Sequence, residues 1–114
     1  MDFSQPTPEL PVPDVRAAQE YYRDKLGFEI GWYNEEGKIG AVSHGDCSVF
    51  FREVTGETSP STFWVFCKDL DAAQTEFARR GANITDKLEL KPWGLRQLTV
   101  EDHRANKFYF FHDV

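Results

Sequence analysis

Two segments of this chain carry apolar residues at helical spacing. In each segment apolar side chains recur at i, i+3 and i+7, which places them on one face of a helix. Each segment begins with an Asp, which can accept backbone N–H bonds as an N-cap, and runs into a glycine, which can adopt the left-handed conformation that ends a helix. We therefore predict two amphipathic helices, one from Asp14 to Gly27 and one from Asp69 to Gly81.

The two helical segments are also copies of each other. Asp14-Val-Arg-Ala-Ala-Gln-Glu-Tyr-Tyr reappears 55 residues later as Asp69-Leu-Asp-Ala-Ala-Gln-Thr-Glu-Phe, and 55 is close to half of the 114 residues. Chance similarity between two amphipathic helices is the alternative interpretation. The shared caps, the shared Ala-Ala-Gln and the similar lengths are separate coincidences, however, so they favour a tandem duplication.

The remaining segments have the alternation and the bounding turns of β-strands. The predicted strands span residues 8–12, 28–33, 39–43, 47–52, 62–67, 84–90, 95–100 and 107–111. Residues 53–61 contain Gly, Thr, Ser and Pro without periodicity and form the predicted linker. Each half is then β-α-β-β-β. The prediction is a single α+β domain over residues 1–114, with module one at about 1–57 and module two at about 58–114.

One helix can cover only one face of a four-stranded sheet, which leaves the second face for a cavity or an interface. Several predicted strands are apolar on both faces, for example Thr62-Phe-Trp-Val-Phe-Cys67. Aromatic side chains on the face away from the helix need a further partner, which can be a ligand, the other module or another subunit. The alternative is that they pack between the two sheets of one chain.

The charge of the chain restricts its partners. The formal net charge is −6 with an isoelectric point near 5.0, and the Lys and Arg residues are scattered. A nucleic-acid partner is therefore not expected, and any electrostatic preference favours cationic ligands. The alternative is that mild acidity only keeps the protein dispersed.

The cysteines and the first residues suggest a compartment. Cys47 and Cys67 lie in apolar runs and match no metal-ligand spacing, as expected for reduced core thiols. Residues 1–6 have neither a basic region nor an apolar region of the kind found in secretory signals. We therefore expect a cytoplasmic protein with no membrane partner.

Three sequence motifs resemble a known family. The motifs are Leu-Pro-Val-Pro-Asp-Val at 10–15, Tyr-Tyr-Arg-Asp-Lys-Leu-Gly-Phe at 21–28 and Lys-Pro-Trp-Gly-Leu-Arg at 91–96. Together with the duplicated unit, they are similar to the glyoxalase/bleomycin-resistance/extradiol-dioxygenase (vicinal oxygen chelate) superfamily. The similarity is greatest to its small bleomycin-resistance proteins. The resemblance implies that the two modules form half-barrel sheets. One turn departs from the family pattern Asp-Pro-x-Gly-Asn, because it reads Asp102-His-Arg-Ala-Asn106.

Enzymes of this superfamily hold a divalent metal with His, Gln and Glu side chains from four strands. The resemblance places those positions at Thr7, Phe50, Thr62 and Tyr109. Hydroxyl groups and aromatic rings do not replace imidazole and carboxylate donors. The three histidines, at 44, 103 and 112, fall at predicted turns and near the chain end. We therefore predict no metal site, no cofactor and no catalytic residue.

These observations favour metal-independent binding and sequestration of a planar, cationic aromatic small molecule, as in antibiotic-resistance proteins that bind bleomycin. The predicted ligand-binding residues are Glu9, Tyr33, Phe50, Trp64, Phe66, Trp93 and Tyr109. Trp93 could instead close the core from a loop, and Glu9 could be a solvated edge carboxylate. The alternative functions are a divergent metal-dependent lyase, isomerase or dioxygenase, and a module that only dimerises.

We further predict a two-fold homodimer. Pro8 and Pro11 leave hydrogen-bonding positions of the first strand unmet, and a second chain can cover such an edge. The resemblance implies ligand grooves at the dimer interface, with Trp64 and Trp93 supplied by different subunits, and exchange of the first strand between chains is compatible with it. A monomer whose modules close on each other is the alternative.

Overall fold

A computed structural model describes residues 1–113 and has the predicted order of elements. The strands and helices are β1 Glu9–Val12, α1 Val15–Leu26, β2 Glu29–Asn34, β3 Ile39–His44, β4 Cys47–Glu53, β5 Thr62–Phe66, α2 Leu70–Arg80, β6 Asn83–Leu90, β7 Leu95–Glu101 and β8 Lys107–Asp113. In the described part of the chain, neither helix is long and apolar enough to cross a membrane.

Each half of the chain forms one four-stranded sheet with the same topology. The strand orders are β1-β4-β3-β2 and β5-β8-β7-β6. In both sheets the first strand pairs in parallel with the last, and the other neighbours are antiparallel. The prediction of two tandem βαβββ modules is thereby confirmed.

The helices begin and end where the sequence predicts. Asp14 and Asp69 each accept a hydrogen bond from the backbone N–H three residues later, at 3.0 Å in both cases. Gly27 and Gly81 close the helices with φ values of 75°, in the left-handed region that glycine adopts without a steric cost. The duplicated Asp and Gly residues therefore cap both helices in the same way.

The helix-facing sides of the two sheets share one apolar core. It includes Tyr22 and Phe51 from module one and Phe77, Phe108 and Phe110 from module two. The ring of Tyr22 lies 6.0 Å from that of Phe108, so the modules are in direct contact. The opposite faces of the sheets, which we call the open faces, point away from this core.

A buried polar network also joins the modules. The Tyr22 hydroxyl in α1 donates to Oδ2 of Asp102 at 2.6 Å, and Asp102 lies in the turn between β7 and β8. The same carboxylate accepts from the backbone of Arg104 and from the backbone and side chain of Asn106. Burial, followed by the charge of Asp102, holds the pKa of Tyr22 well above its usual value. The two residues that this turn shares with the family pattern, Asp102 and Asn106, are thus the turn residues whose side chains form these hydrogen bonds.

Candidate functional site

The open face of the second sheet carries two rows of side chains that run across its four strands. Backbone pairing sets the order of each row from β6 to β5. The first row is Asp86, Thr99, Tyr109 and Trp64, and the second is Glu89, Gln97, Phe111 and Phe66. This face is therefore acidic at the β6 edge, polar in the middle and aromatic at the β5 edge.

The aromatic half of this face consists of four rings, each of which contacts at least one of the others. The ring centroid of Trp64 lies 4.6 Å from Tyr109 and 5.8 Å from Phe111, and Phe66 lies 5.8 Å from Phe111. Trp64 and Phe66 remain 52% and 56% exposed. Large apolar side chains with this exposure, grouped on one face, are typical of a binding surface.

A tryptophan from the loop after β6 lies against the polar middle. Trp93 Nε1 donates to Oε1 of Gln97 at 3.1 Å, and Gln97 is itself buried. The turn is held by backbone hydrogen bonds from Lys91 to Leu95 and from Gly94 to Lys91. Trp93 is 60% exposed, so it does not close the core. Its ring is anchored beside the face and available to a ligand.

The open face of the first sheet is less aromatic. Trp32 and Phe50 lie 5.1 Å apart there, centroid to centroid. Glu9 forms an ion pair with Arg52 at 2.9 Å, although both side chains are nearly half exposed. Glu9 is therefore neither a lone solvated carboxylate nor a free anion for a ligand, because its charge already has a partner on the neighbouring strand.

Tyr33 lies on the opposite side of the first sheet. It pairs with Gly40 and packs against the shared core, and the guanidinium carbon of Arg16 from α1 lies 4.2 Å from its ring centroid. The pairing register shifts between Ile30 and Tyr33, so simple alternation along β2 gives the wrong face beyond that point. Trp32, rather than Tyr33, lies beside Phe50 on the open face, so Tyr33 is separated from the other predicted ligand-binding residues.

The structure thus divides the seven predicted ligand-binding residues into three locations. Trp64, Phe66, Trp93 and Tyr109 come together on the second sheet. Glu9 and Phe50 are neighbours on the first sheet, and Tyr33 faces the helix. Residues that were not predicted are Trp32, Phe111, Gln97, Asp86, Glu89 and Lys91. Of these, Phe111 could have been found from its alternation with Tyr109.

The family's metal-binding positions do not fit a metal here. The four positions, Thr7, Phe50, Thr62 and Tyr109, present two aliphatic hydroxyls and two aromatic rings, which do not replace imidazole and carboxylate ligands of a divalent cation. Within residues 1–113 no group of three or more His, Cys, Asp or Glu side chains could hold a metal ion. The histidines contact separate parts of the molecule: the rings of His103 and His112 lie against Tyr21 and Phe66, and His44 Nδ1 lies 3.0 Å from the Gly27 carbonyl.

A second concave surface lies between the modules on the helix side. This groove has a volume of about 1400 Å³ and is lined by β5 and Cys67, by Phe77 from α2 and by residues 26–28 and 46–49 of module one. Burial raises the pKa values of Cys47 and Cys67, both of which line the groove. These thiols are therefore protonated side chains at neutral pH rather than activated nucleophiles.

The sequence and the fold both match known proteins. The family model described as "Glyoxalase/Bleomycin resistance protein/Dioxygenase superfamily" matches residues 5–110. No protein in the curated sequence set matches the chain.

Three solved structures illustrate the similarity of the fold. A bleomycin resistance determinant encoded on the transposon Tn5 has a TM-score of 0.83 at 21% identity, covering 97% of this chain and 98% of its own. A bleomycin-binding protein complexed with bleomycin has a TM-score of 0.82 at 20% identity, covering 98% and 100%. TioX from Micromonospora sp. ML1 has a TM-score of 0.81 at 22% identity, covering 97% and 100%. At these identities the likeness establishes the fold.

Proposed function

We propose that this chain, which belongs to the glyoxalase/bleomycin resistance protein/dioxygenase superfamily, binds and sequesters a planar, cationic aromatic small molecule without chemically changing it. The observation that carries the proposal is the open face of the second sheet, where an exposed aromatic half adjoins an acidic edge. One protein with this fold was crystallised with bleomycin, which supports the choice of a small-molecule ligand.

The aromatic half supplies the apolar part of the binding energy. Trp64 and Phe66 are each more than half exposed in the free protein, so a flat ligand that covers them removes apolar area from water. Aromatic pairs contribute about 0.5–1.5 kcal/mol beyond burial, and a cation over a Trp ring contributes about 0.5–2 kcal/mol. Trp93, anchored by Gln97, offers a further ring at the edge of the same surface.

The charges favour a cation over an anion. Asp86 and Glu89 contribute two carboxylates to the second open face, and Lys91 neutralises only one of these charges. On the first sheet Glu9 and Arg52 cancel. Together with the net charge of −6, this leaves the surface attractive to positive ligands.

Catalysis through a divalent metal is the alternative that the family offers. The donor set at the corresponding strands does not fit such an ion, and we assign no catalytic residue and no cofactor. Elemental analysis of protein purified without chelator or His tag tests this assignment. Nickel, zinc, iron or manganese at one per subunit would favour a lyase, isomerase or dioxygenase instead.

We also propose that the chain forms a two-fold homodimer in which the open faces of different protomers cover each other. The support is the exposure of Trp32 and Trp64 on two faces that point away from the shared core. A protein that only dimerises would use the same two faces for contact between protomers and would bind no ligand there. Sedimentation equilibrium at micromolar concentration separates dimer from monomer, since a single species of 13.2 kDa would contradict the proposal.

Ligand binding is tested by calorimetric titration of bleomycin and ethidium into wild-type protein. We expect saturable binding that Trp64→Leu weakens about tenfold, because the substitution removes a stacking and cation–π surface worth roughly 1–2 kcal/mol. Phe3→Leu is the matched control, since Phe3 is an exposed aromatic residue outside the sheets. Absence of saturable binding, or equal affinities of wild type and Trp64→Leu, would refute the proposal.

A further inference from the structure

The acidic edge of the second open face exists because β6 is irregular. Its pairing with β7 shifts between Ile84 and Asp86 and again between Asp86 and Glu89. Each shift adds one residue to β6 relative to its partner. Asp86 and Glu89 are three positions apart and would face opposite sides of a regular strand. The second shift places both carboxylates on the same face, opposite Thr99 and Gln97.

The cation that sits between these carboxylates belongs to the chain itself. Lys91 Nζ lies 2.6 Å from Oδ2 of Asp86 and 2.5 Å from Oε1 of Glu89. The Lys91 side chain is only 10% exposed, whereas Asp86 and Glu89 are 43% and 60% exposed. Hydrogen bonds to Asp86, and then to Glu89, raise the pKa of Lys91. The lysine is thus held as an ammonium ion, while its carboxylate partners stay accessible.

The side chain of Lys91 is not needed to hold its own loop. The loop is closed by the Lys91 backbone, which bonds to Leu95 and Gly94, and by the hydrogen bond from Trp93 to Gln97. Replacing the ammonium group with an apolar group of similar length therefore leaves the anchors of the loop in place. The ammonium group changes the charge of the acidic edge from −2 to −1.

We propose that Asp86 and Glu89 form a cation subsite, that the Lys91 ammonium group occupies this subsite in the free protein, and that Lys91 thereby sets the charge selectivity of the aromatic face. This inference rests on the proposed function and specifies its ligand. The rows that start at Asp86 and Glu89 reach Tyr109 and Phe111 after two strand spacings, or about 10 Å. The matching ligand is an aromatic ring system that carries a positive group on a side arm, in addition to any charge on the ring. Lys91 competes with that group for the carboxylates.

Two dyes with the same ring distinguish arm charge from ring charge. Ethidium carries its charge on the phenanthridinium ring, and propidium adds a quaternary ammonium group on a propyl arm. In Lys91→Met we expect affinity for propidium to rise about tenfold and affinity for ethidium to rise less than about threefold, because the unmasked carboxylates act mainly on the arm. Lys91→Arg keeps the positive charge and should behave like the wild type.

Lys87→Met is the matched control. Lys87 is an exposed lysine of the same strand that lines a shallow depression on the helix side together with Gln74 and Ile84. The Lys87→Met substitution changes the net charge by the same amount as Lys91→Met, but away from the open face. We expect both dyes to bind this variant as they bind the wild type. Equal effects of Lys87→Met and Lys91→Met, or weaker propidium binding by Lys91→Met, would overturn the inference.

The two proposals fail in different ways. If the wild type binds both dyes and Lys91→Met does not change the preference between them, the role of Lys91 is refuted and the binding function stands. If Lys91→Met is the only one of the proteins that binds propidium, the result supports the competition of Lys91 with the ligand for the two carboxylates. If none of the four proteins binds either dye, both proposals are refuted.

Discussion

The two modules are copies in sequence, yet their helices pack differently. Helix α1 buries Val15, Ala18, Gln19, Tyr22 and Leu26, whereas α2 buries only Leu70 and Phe77. Helix α1 also lies so close to β3 that a Cβ atom at Gly40 would come within 2.8 Å of side chains from Val15 and Gln19. Helix α1 is thus packed more tightly on its sheet than α2, and the groove of about 1400 Å³ lies between the two modules, along the exposed side of α2.

The two modules also differ in the lengths of two equivalent turns. Five residues, Asp102 to Asn106, connect β7 to β8, and they reach α1, where His103 packs on Tyr21 and Asp102 accepts from Tyr22. Only Gly45 and Asp46 connect β3 to β4. That short turn and Glu76 and Phe77, the repeat equivalents of Tyr21 and Tyr22, line the groove. The loop length is therefore one of the features by which the two copies of the fold differ at the groove.

The largest effect that tests this comparison is expected in the long turn. Asp102→Ala removes a buried acceptor of four hydrogen bonds and leaves their donors without a partner. We expect it to lower the free energy of unfolding by about 3 kcal/mol. Asp46→Ala, in the short turn, should change it by less than about 0.5 kcal/mol. Urea denaturation measures both, and similar losses would show that the two turns have equal structural roles.

A smaller effect is expected from filling equivalent helix positions. Ala18 and Ala73 are 55 residues apart, and Ala18 is fully buried while Ala73 lines the groove. Ala18→Leu should destabilise the protein by about 2 kcal/mol through overpacking. Ala73→Leu has room in the groove and should be neutral or stabilise by up to about 1 kcal/mol. Thermal and urea unfolding compare the two variants, and equal destabilisation would mean that the groove is already filled in solution.

The smallest effect concerns one hydroxyl group. Tyr22→Phe should cost about 1 kcal/mol near neutral pH, since Asp102 keeps its bonds from Asn106. Phe77→Tyr, at the equivalent position beside the groove, should cost less than about 0.5 kcal/mol.

The buried Tyr22 hydroxyl, which donates to Asp102, should also affect how stability depends on pH in alkaline solution. The pKa of Tyr22 in the folded state lies well above 10.0, the ordinary value of the unfolded chain. Above pH 10.0 the unfolded state therefore binds fewer protons than the folded state, and the free energy of unfolding falls as pH rises. Urea midpoints measured through that range should fall less steeply for Tyr22→Phe than for wild type. Parallel profiles would contradict the burial of a neutral Tyr22 hydroxyl.

The sequence predicted the elements well because their signals are local or repeated. Caps such as Asp14 and Gly27 act within one helical turn, and the period of 55 residues provided a second copy of each signal. The β-α-β-β-β order of each half followed from the caps, the alternation and the turns, and the family resemblance added the half-barrel sheets. Alternation placed Trp64, Phe66 and Tyr109 correctly because β5 and β8 pair without register shifts.

The parts that the sequence did not predict depend on register and on distant pairing. Tyr33 lies apart from the other predicted ligand-binding residues because β2 shifts its register after Ile30. The acidic edge was missed because two further shifts bring Asp86 and Glu89 together. The Glu9–Arg52 ion pair depends on the parallel pairing of β1 with β4, across 43 residues of chain. None of these features has a signal within a short window of sequence.

The irregular pairing of β6 also determines which single-residue deletions the strand tolerates without turning its side chains to the other face. In a regularly paired strand, loss of one residue inverts every side chain beyond it. Between Asp86 and Glu89, however, β6 already carries one residue more than β7. Deletion of Lys87 would restore regular pairing and keep both carboxylates on their present face. Single-residue deletions can therefore reshape the acidic edge, whereas in the regularly paired β8 the same event would invert part of the aromatic half. Among relatives, we expect the acidic edge to vary in length and the aromatic half to vary only by substitution.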